Sequence, residues 1–199
     1  MKLLLPVSIF LLTLLSAFTP GNNKPFVKDY FAVPGPLEFN KVAYQLAWSS
    51  HPNATYYKQE YLPAGEKTER YSNMLLLEVA TGEFSLQQVV KAKTAELDQR
   101  KKSDPVTNYS LIQNPNTGEY MLDFVLSQGE GANSIVEWNV YRYAKLKDKS
   151  GKQGVQLMAY SRRAYGTAGT AFLQQLKTTR PTDIKTMAVY KMPELKLAD

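Results

Sequence analysis

Residues 119–163 (EYMLDFVLSQGEGANSIVEWNVYRYAKLKDKSGKQGVQLMAYSRR) decide the fold. Bulky apolar residues recur at every second position in residues 119–127 and again in residues 134–146. A period of two places alternate side chains on opposite faces of a strand. The short polar, glycine-containing segments between the strands are typical of hairpin turns, so consecutive strands should pair antiparallel. The stretch therefore predicts three neighbouring strands of an antiparallel sheet.

Further elements follow on both sides of this stretch. Strand patterns occupy residues 42–48, 55–62, 70–80 and 108–113, with a turn predicted at residues 49–53. Ser85 and Gln88 form a capping-box pattern at the start of an amphipathic helix over residues 84–102. A second helix is predicted over residues 167–179, and Pro181 can begin a further short one.

The order of these elements predicts an α+β fold. We expect a twisted antiparallel sheet of about six or seven strands with two main helices packed on it, similar to an α/β/α sandwich. The alternative is an open barrel that holds a ligand between sheet and helix.

The N-terminus has the pattern of an export signal. Lys2 precedes an apolar run over residues 3–15, and the small residues Ser16 and Ala17 follow. We predict a signal peptide at residues 1–19, an extended Pro/Gly-containing leader at residues 20–36 and a single α+β domain at residues 37–199. An uncleaved anchor is the alternative, but the run is shorter than the about 20 residues that a membrane span needs. The predicted location is periplasmic or secreted.

Composition narrows the chemistry. The absence of cysteine excludes disulfides, thiol catalysis and thiolate metal sites. The single histidine, His51, excludes His-rich metal sites and argues against a His-based catalytic triad. With 24 Lys and Arg against 18 Asp and Glu, the formal net charge is +6. The basic residues are mostly dispersed, so we predict no nucleic-acid partner.

No cofactor, metal ligand or catalytic residue is predicted. Two carboxylates within apolar strands, Asp123 and Glu137, are the weak candidates for acid/base work.

Aromatic and basic residues interleave at two places and give the candidate ligand-binding set. Arginines over aromatic rings can bind an anionic or sugar-like ligand, and loop residues beside aromatics can contact one. The same pattern arises when the aromatics are core and the arginines pair with helix charges, and both interpretations remain open. The candidates are Trp48, His51, Tyr57, Trp138, Tyr141, Arg142, Tyr160 and Arg162.

Residues 59–66 (QEYLPAGE), followed by a strand containing Met74 and then a helix, resemble the opening of uncharacterised bacterial exported proteins of the PsbP-like kind. The element order over residues 37–190 also resembles the PsbP-like α/β/α sandwich. The resemblance implies a small, non-enzymatic binding or assembly factor and carries no site residues with it.

These observations predict an exported, non-enzymatic domain that binds a partner protein or an envelope component. The second hypothesis is a carrier of a small apolar, aromatic or anionic ligand. A carboxylate-dependent hydrolase is the least favoured. An apolar cavity beside Trp48 and Trp138 would favour the carrier, whereas an exposed aromatic patch without a cavity would favour the protein partner.

Overall fold

The computed structural model describes residues 27–198, and an eight-stranded antiparallel sheet lies at its centre. Across the sheet the strands lie in the order β1-β2-β3-β4-β8-β7-β6-β5, and the two helices are α1 (Leu86–Arg100) and α2 (Ala168–Val189). The predicted signal peptide lies outside the described residues. The strands are β1 (Leu37–Phe39), β2 (Val42–Asn53), β3 (Tyr56–Leu62), β4 (Asn73–Thr81), β5 (Asn108–Gln113), β6 (Tyr120–Gln128), β7 (Ile135–Lys145) and β8 (Gly154–Tyr165).

Two four-stranded meanders form this sheet, and they join where β4 pairs with β8. The predicted hairpins of residues 119–163 are present as β6, β7 and β8. At the β6–β7 turn, Gly129 has a φ of +74°, and a Cβ there would lie 2.9 Å from the Asn133 carbonyl oxygen. Only glycine fits such a turn without strain. Between β4 and β5, α1 carries the chain from one meander to the other.

The two helices pack on opposite faces of the sheet. Leu86, Val90 and Leu97 of α1 cluster with Leu122 and Phe124 of β6. On the other side, the α2 residues Phe172, Leu176 and Met187 cluster with β7 and β8 residues. We call the first side the α1 face and the second the α2 face. The strand alternation read from the sequence thus gives each face its own apolar core.

The leader and the C-terminal tail complete the core of the α2 face. Phe31 is fully buried and Leu195 is 1% exposed, both in the same cluster as Trp138. Two backbone hydrogen bonds, each 2.9 Å long, join the tail to the leader: the Lys196 N–H donates to the Phe31 carbonyl and the Ala198 N–H donates to the Tyr30 carbonyl. Each such buried side chain is worth about 2 kcal/mol of hydrophobic stabilisation. The folded unit therefore includes part of the segment predicted as an extended leader.

The structure refines the predicted elements in three places. The sheet has eight strands rather than six or seven, because the three residues of β1 pair with β2. The turn predicted at residues 49–53 is part of β2, which bends through irregular register between Ser50 and Asn53. The last helices are one, with Pro181 inside α2. No helix within residues 27–198 is long and apolar enough to cross a membrane.

Candidate functional site

A cleft of about 360 Å³ opens beneath α2 beside Trp138. Its floor comes from β5, β6 and β7 and its roof from α2. The main contacts of α2 are with β7 and β8, so the helix overhangs the outer strands β6 and β5 and leaves this space. The lining residues are Asn108, Tyr109, Asp123, Val125, Trp138, Leu173, Leu176, Lys177 and Arg180.

The α2 residues of the cleft share one side of the helix. Leu173, Leu176, Lys177 and Arg180 are spaced three or four apart, which stacks them along one stripe. Leu176 is buried, while Lys177 is exposed at the mouth. The stripe therefore changes from apolar inside the cleft to basic at its rim.

An ion pair joins the roof of the cleft to its floor. Asp123 of β6 is only 4% exposed, and its Oδ2 accepts a bond from Arg180 Nη2 at 3.0 Å. The indole Nε1 of Trp138 donates to Asp123 Oδ1 at 3.3 Å. The hydrogen bond to the carboxylate raises the pKa of Arg180, although partial burial opposes the effect. This network fixes the buried indole in one orientation.

The electrostatics of the rim favour an anion. The Arg180 side chain is 43% exposed despite its pairing with Asp123. Within residues 27–198, Lys177 has no ion-pair partner. An apolar floor with a few polar groups at one side is the usual make-up of a small-molecule site, and about 300 Å³ is enough for a small ligand. The cleft suits a ligand with an apolar or aromatic body and a negative group.

Five of the eight predicted site residues lie on the α2 face, and Trp138 alone of the eight lines the cleft. Tyr160 is buried beside it with ring centroids 6.4 Å apart. Arg162 pairs with Asp183 of α2 at 3.1 Å. The five are Tyr57, Trp138, Arg142, Tyr160 and Arg162.

Arg142 and Arg162 attach α2 to the sheet. Arg142 pairs with Glu119 at 2.7 Å and donates through Nη1 to the carbonyls of Met187 and Tyr190, at the C-terminal end of α2. A cation at the C-terminal end of a helix interacts favourably with the carbonyl groups that the last turn exposes. These two arginines thus pair with helix groups, which is one of the two interpretations that the sequence left open.

The other three predicted residues lie elsewhere. His51 stacks on Tyr57 with ring centroids 3.9 Å apart, at the end of the β2–β3 hairpin. Trp48, which is 40% exposed, and Tyr141 belong to the α1 face. Tyr141 packs edge-to-face on Phe124 at 4.9 Å, and burial raises the pKa of its phenol. The structure therefore does not bring the eight residues together in one site.

The two candidate carboxylates are separated by the sheet. Asp123 pairs in register with Val140 and lies on the α2 face, whereas Glu137 is an odd-numbered neighbour in β7 and points to the other side. There Glu137 Oε2 accepts bonds from Arg163 Nε at 2.6 Å and Tyr71 Oη at 2.8 Å. The pair cannot act together across a single cleft.

Sequence reasoning missed the roof of the cleft. Lys177 and Arg180 were not singled out, because their approach to Asp123 and Trp138 depends on how α2 lies across the sheet. Their spacing from Leu173 along one helical side is the signal that could have identified them.

Other parts of the described chain offer less. A hollow of about 730 Å³ lies between β2 and the 62–69 segment, but Val27, the first described residue, is in its wall. No group of three or more His, Cys, Asp or Glu side chains within residues 27–198 is arranged to hold a metal ion.

Comparison with curated proteins and with solved structures finds no match to this chain. A sequence model of an uncharacterised protein family matches residues 31–192, a range that includes every strand, both helices and the whole lining of the cleft. The chain therefore belongs to this family.

Proposed function

We propose that the protein is an exported, non-enzymatic binding domain whose ligand occupies the Trp138 cleft. The ligand is a small molecule with an apolar or aromatic body and an anionic group. The export signal predicted at residues 1–19 implies a periplasmic or secreted location. The observation that carries the proposal is a cleft of about 360 Å³ whose floor is the buried indole of Trp138.

The fixed indole supports binding of a flat apolar group. Trp138 is held by Asp123 and packed against Tyr160, so a ligand ring meets a rigid surface and little side-chain entropy is lost on binding. Leu173 and Leu176 cover the other side of the cleft. A ring between these surfaces is removed from water on both faces, which is favourable by about 25 cal/mol per Å² of apolar area.

The basic rim supports the anionic part of the ligand. Lys177 and Arg180 lie one helical turn apart at the mouth, where a carboxylate or phosphate would meet both. Asp123 neutralises part of the Arg180 charge, so Lys177 supplies most of the attraction. A charge-assisted bond of this kind is worth about 1.5–3 kcal/mol.

A protein partner or an envelope component is the second candidate ligand. Trp48 is 40% exposed on the α1 face, where it borders a shallow groove with Glu60, Thr68 and Glu69. Exposed aromatic rings are favoured in protein interfaces. The PsbP-like resemblance implies the same class of function and stays a prediction. A hydrolase acting through Asp123 and Glu137 is the least favoured, since the sheet separates them.

Binding in the cleft can be tested through Trp138 fluorescence. Trp48 is the other tryptophan, so the background is the Trp48→Phe variant of residues 22–199, which contain every described core residue. Naphthoate serves as the aromatic anion and naphthyl methanol as its neutral counterpart. We expect naphthoate to change the Trp138 emission and to bind at least about tenfold more tightly than naphthyl methanol.

Two charge reversals on α2 form the matched control. Lys177→Glu should weaken naphthoate binding by about tenfold, whereas Lys185→Glu, at an exposed position outside the cleft, should leave it unchanged. Calorimetry on the same proteins measures the affinity independently. Unchanged Trp138 emission with both compounds, or equal loss from the two reversals, would refute binding in this cleft.

A further inference from the structure

The edge strand β5 has outward-facing backbone groups that the described chain leaves available. The Asn114 N–H donates to the Glu119 carbonyl at 2.8 Å, and this pair continues the register of β5 with β6. Hydrogen-bonded pairs alternate along an antiparallel ladder. The backbone groups of the even-numbered β5 residues are therefore hydrogen-bonded to β6. The odd-numbered residues Tyr109, Leu111 and Gln113 direct their backbone N–H and C=O groups away from the sheet.

One of these outward donors is already used. Asn108 Oδ1 accepts the N–H of Tyr109 at 3.0 Å. Within residues 27–198, no bond outside the ladder reaches the backbone groups of Leu111 or Gln113. Both side chains are exposed, and Leu111 is 42% exposed. The middle and end of β5 thus present open donors and acceptors beside an apolar side chain.

The devices that usually protect a sheet edge are missing from β5. Natural edge strands carry charges, prolines or bulges, or are very short. The sequence of β5 is NYSLIQ, with no charge and no proline, and its register with β6 has no bulge. Ile112 is 54% exposed on the opposite side from Leu111. At the other edge, β1 has three residues and its Phe39 is buried.

We propose that two copies of the protein pair antiparallel through β5, forming one continuous sheet across a two-fold axis. In the symmetric register, Leu111 faces Leu111 of the second copy, and Tyr109 faces Gln113. The Asn108 side chain turns aside to free the Tyr109 N–H. This pairing satisfies the open backbone groups and buries Leu111 and Ile112, so it uses the groups that β5 leaves exposed.

Charge identifies a second copy as the occupant. In a symmetric pair, β5 of one copy lies beside β5 of the other. A charged residue near the two-fold axis would therefore lie close to the same charge in the second copy and oppose pairing. Each copy has a formal charge of +6, yet β5 is uncharged over its whole length. The main sheet contacts of both helices are with β6, β7 and β8, so β5 projects beyond them and leaves room for a neighbouring strand.

The pairing would also extend the Trp138 cleft. Asn108 is at the lip of the cleft, and the symmetric register places Asn114 of the second copy beside it. The small contact area implies a weak dimer, with a dissociation constant on the order of micromolar or above. The proposal does not depend on whether the cleft binds a ligand.

Sedimentation velocity over a range of concentrations tests the pairing on residues 22–199. We expect a monomer–dimer equilibrium, and Leu111→Lys should weaken dimerisation by at least about tenfold, as should Leu111→Glu. An equimolar mixture of these two variants should restore the dimer, because opposite charges then face each other at the axis. A monomer at all concentrations, or a dimer that both variants leave intact, would overturn the proposal.

A single engineered cysteine tests the register directly, since the chain has none of its own. Leu111→Cys should form an intermolecular disulfide on mild oxidation, because paired strands bring opposite Cα atoms within the distance that a disulfide spans. Val189→Cys is the control, at a 78% exposed position at the end of α2. Equal cross-linking of the two cysteine variants would show random collision and would contradict the symmetric register.

Discussion

The α2 face and the α1 face of the same sheet are stabilised in different ways. On the α2 face, α2, residues 31–33 and the C-terminal tail together cover an apolar core that includes Leu75, Leu77, Met158 and Trp138. On the α1 face, α1 covers mainly β6 and β7, and a polar network around Glu137 lies beside it.

The difference shows that the layer packed on a strand decides which side chains are stable there. On the α2 face, where the helix and the C-terminal tail exclude water, apolar side chains are stabilising. The two arginines on this face, Arg142 and Arg162, form hydrogen bonds to groups of α2. Where cover is partial, buried polar groups must bond to one another. Glu137, Arg163, Asn139, Ser161 and Tyr71 do so as a connected set.

The neighbouring residues Leu75 and Leu76 compare the two faces most directly. Leu75 is fully buried in the α2-face core, while Leu76 is 3% exposed but belongs to neither of the helix-covered clusters. Replacing each by alanine removes the same atoms. We expect Leu75→Ala to lower the free energy of unfolding by about 4 kcal/mol and Leu76→Ala by about 2 kcal/mol, because the Leu75 site is more rigidly enclosed.

Urea unfolding of both variants measures this difference. Leu76 pairs with Glu60 and Ala159 across the strands, so its neighbours are polar or small and the site can relax. Equal losses from the two variants would mean that the α1 face is packed as tightly as the α2 face.

The Glu137 network provides the second test. Glu137→Gln keeps the shape but removes the charge that accepts bonds from Arg163 and Tyr71, and we expect a loss of about 2 kcal/mol in unfolding free energy. Glu96→Gln is the matched control, because the Glu96 side chain is 63% exposed where it pairs with Lys93, and the substitution should cost less than about 0.5 kcal/mol. A small effect at both positions would show that the network contributes little to stability.

Much of the fold was predictable because it depends on local patterns. The capping box of Ser85 and Gln88 is present in α1, and the alternation in β7 places Trp138 and Tyr141 on opposite faces as the period of two requires. The strand β1 was not predicted, because three residues are too few to show the alternation of apolar and polar side chains that identifies a strand. Pro181 did not end α2, because Asp183 beyond it is anchored by Arg162 and Asn40.

The candidate site was less predictable because it depends on packing between distant elements. The sequence identified Trp138, and the period of two placed it on the same face as Val140. It could not show that Asp123 of β6 meets Arg180 of α2, since these residues are far apart in the chain. The sequence analysis grouped aromatic and basic residues by type and so put Tyr141 and Trp138 in one candidate site. The two side chains lie on opposite faces of the sheet and cannot share a site.

Asp104, just after α1, gives a pH-dependent prediction. Burial raises the pKa of Asp104, but bonds from Ser127, Thr107 and the Val106 N–H outweigh it and hold that pKa well below its usual range. Because the folded-state pKa is below the unfolded value of about 3.9, the stabilisation is complete above that pH and is lost as the pH falls. Asp104→Asn should cost about 1–2 kcal/mol near neutrality.

The loss caused by Asp104→Asn should shrink at about pH 3, where the wild-type protein has already lost part of the same stabilisation. Urea unfolding of both proteins at the two pH values measures this change. Asp98→Asn is the control, because Asp98 is exposed on α1 and, within residues 27–198, its carboxylate accepts one hydrogen bond, from the Tyr109 hydroxyl. A loss that is constant with pH would contradict the ionised carboxylate as its source.

The smallest expected effect compares the N-cap residues of the two helices, Ser85 before α1 and Thr167 before α2. Ser85 accepts the Gln88 N–H at 3.1 Å, whereas Thr167, at the start of α2, makes no capping bond with its side chain. Ser85→Ala should therefore cost about 1 kcal/mol and Thr167→Ala close to none. Thermal unfolding of the two variants gives the comparison, and equal shifts would mean that the Ser85 bond adds nothing measurable. Because α1 covers its face through few apolar residues, its cap should matter more than that of α2, whose first turns are held by Phe172 and Leu176 in the core of the α2 face.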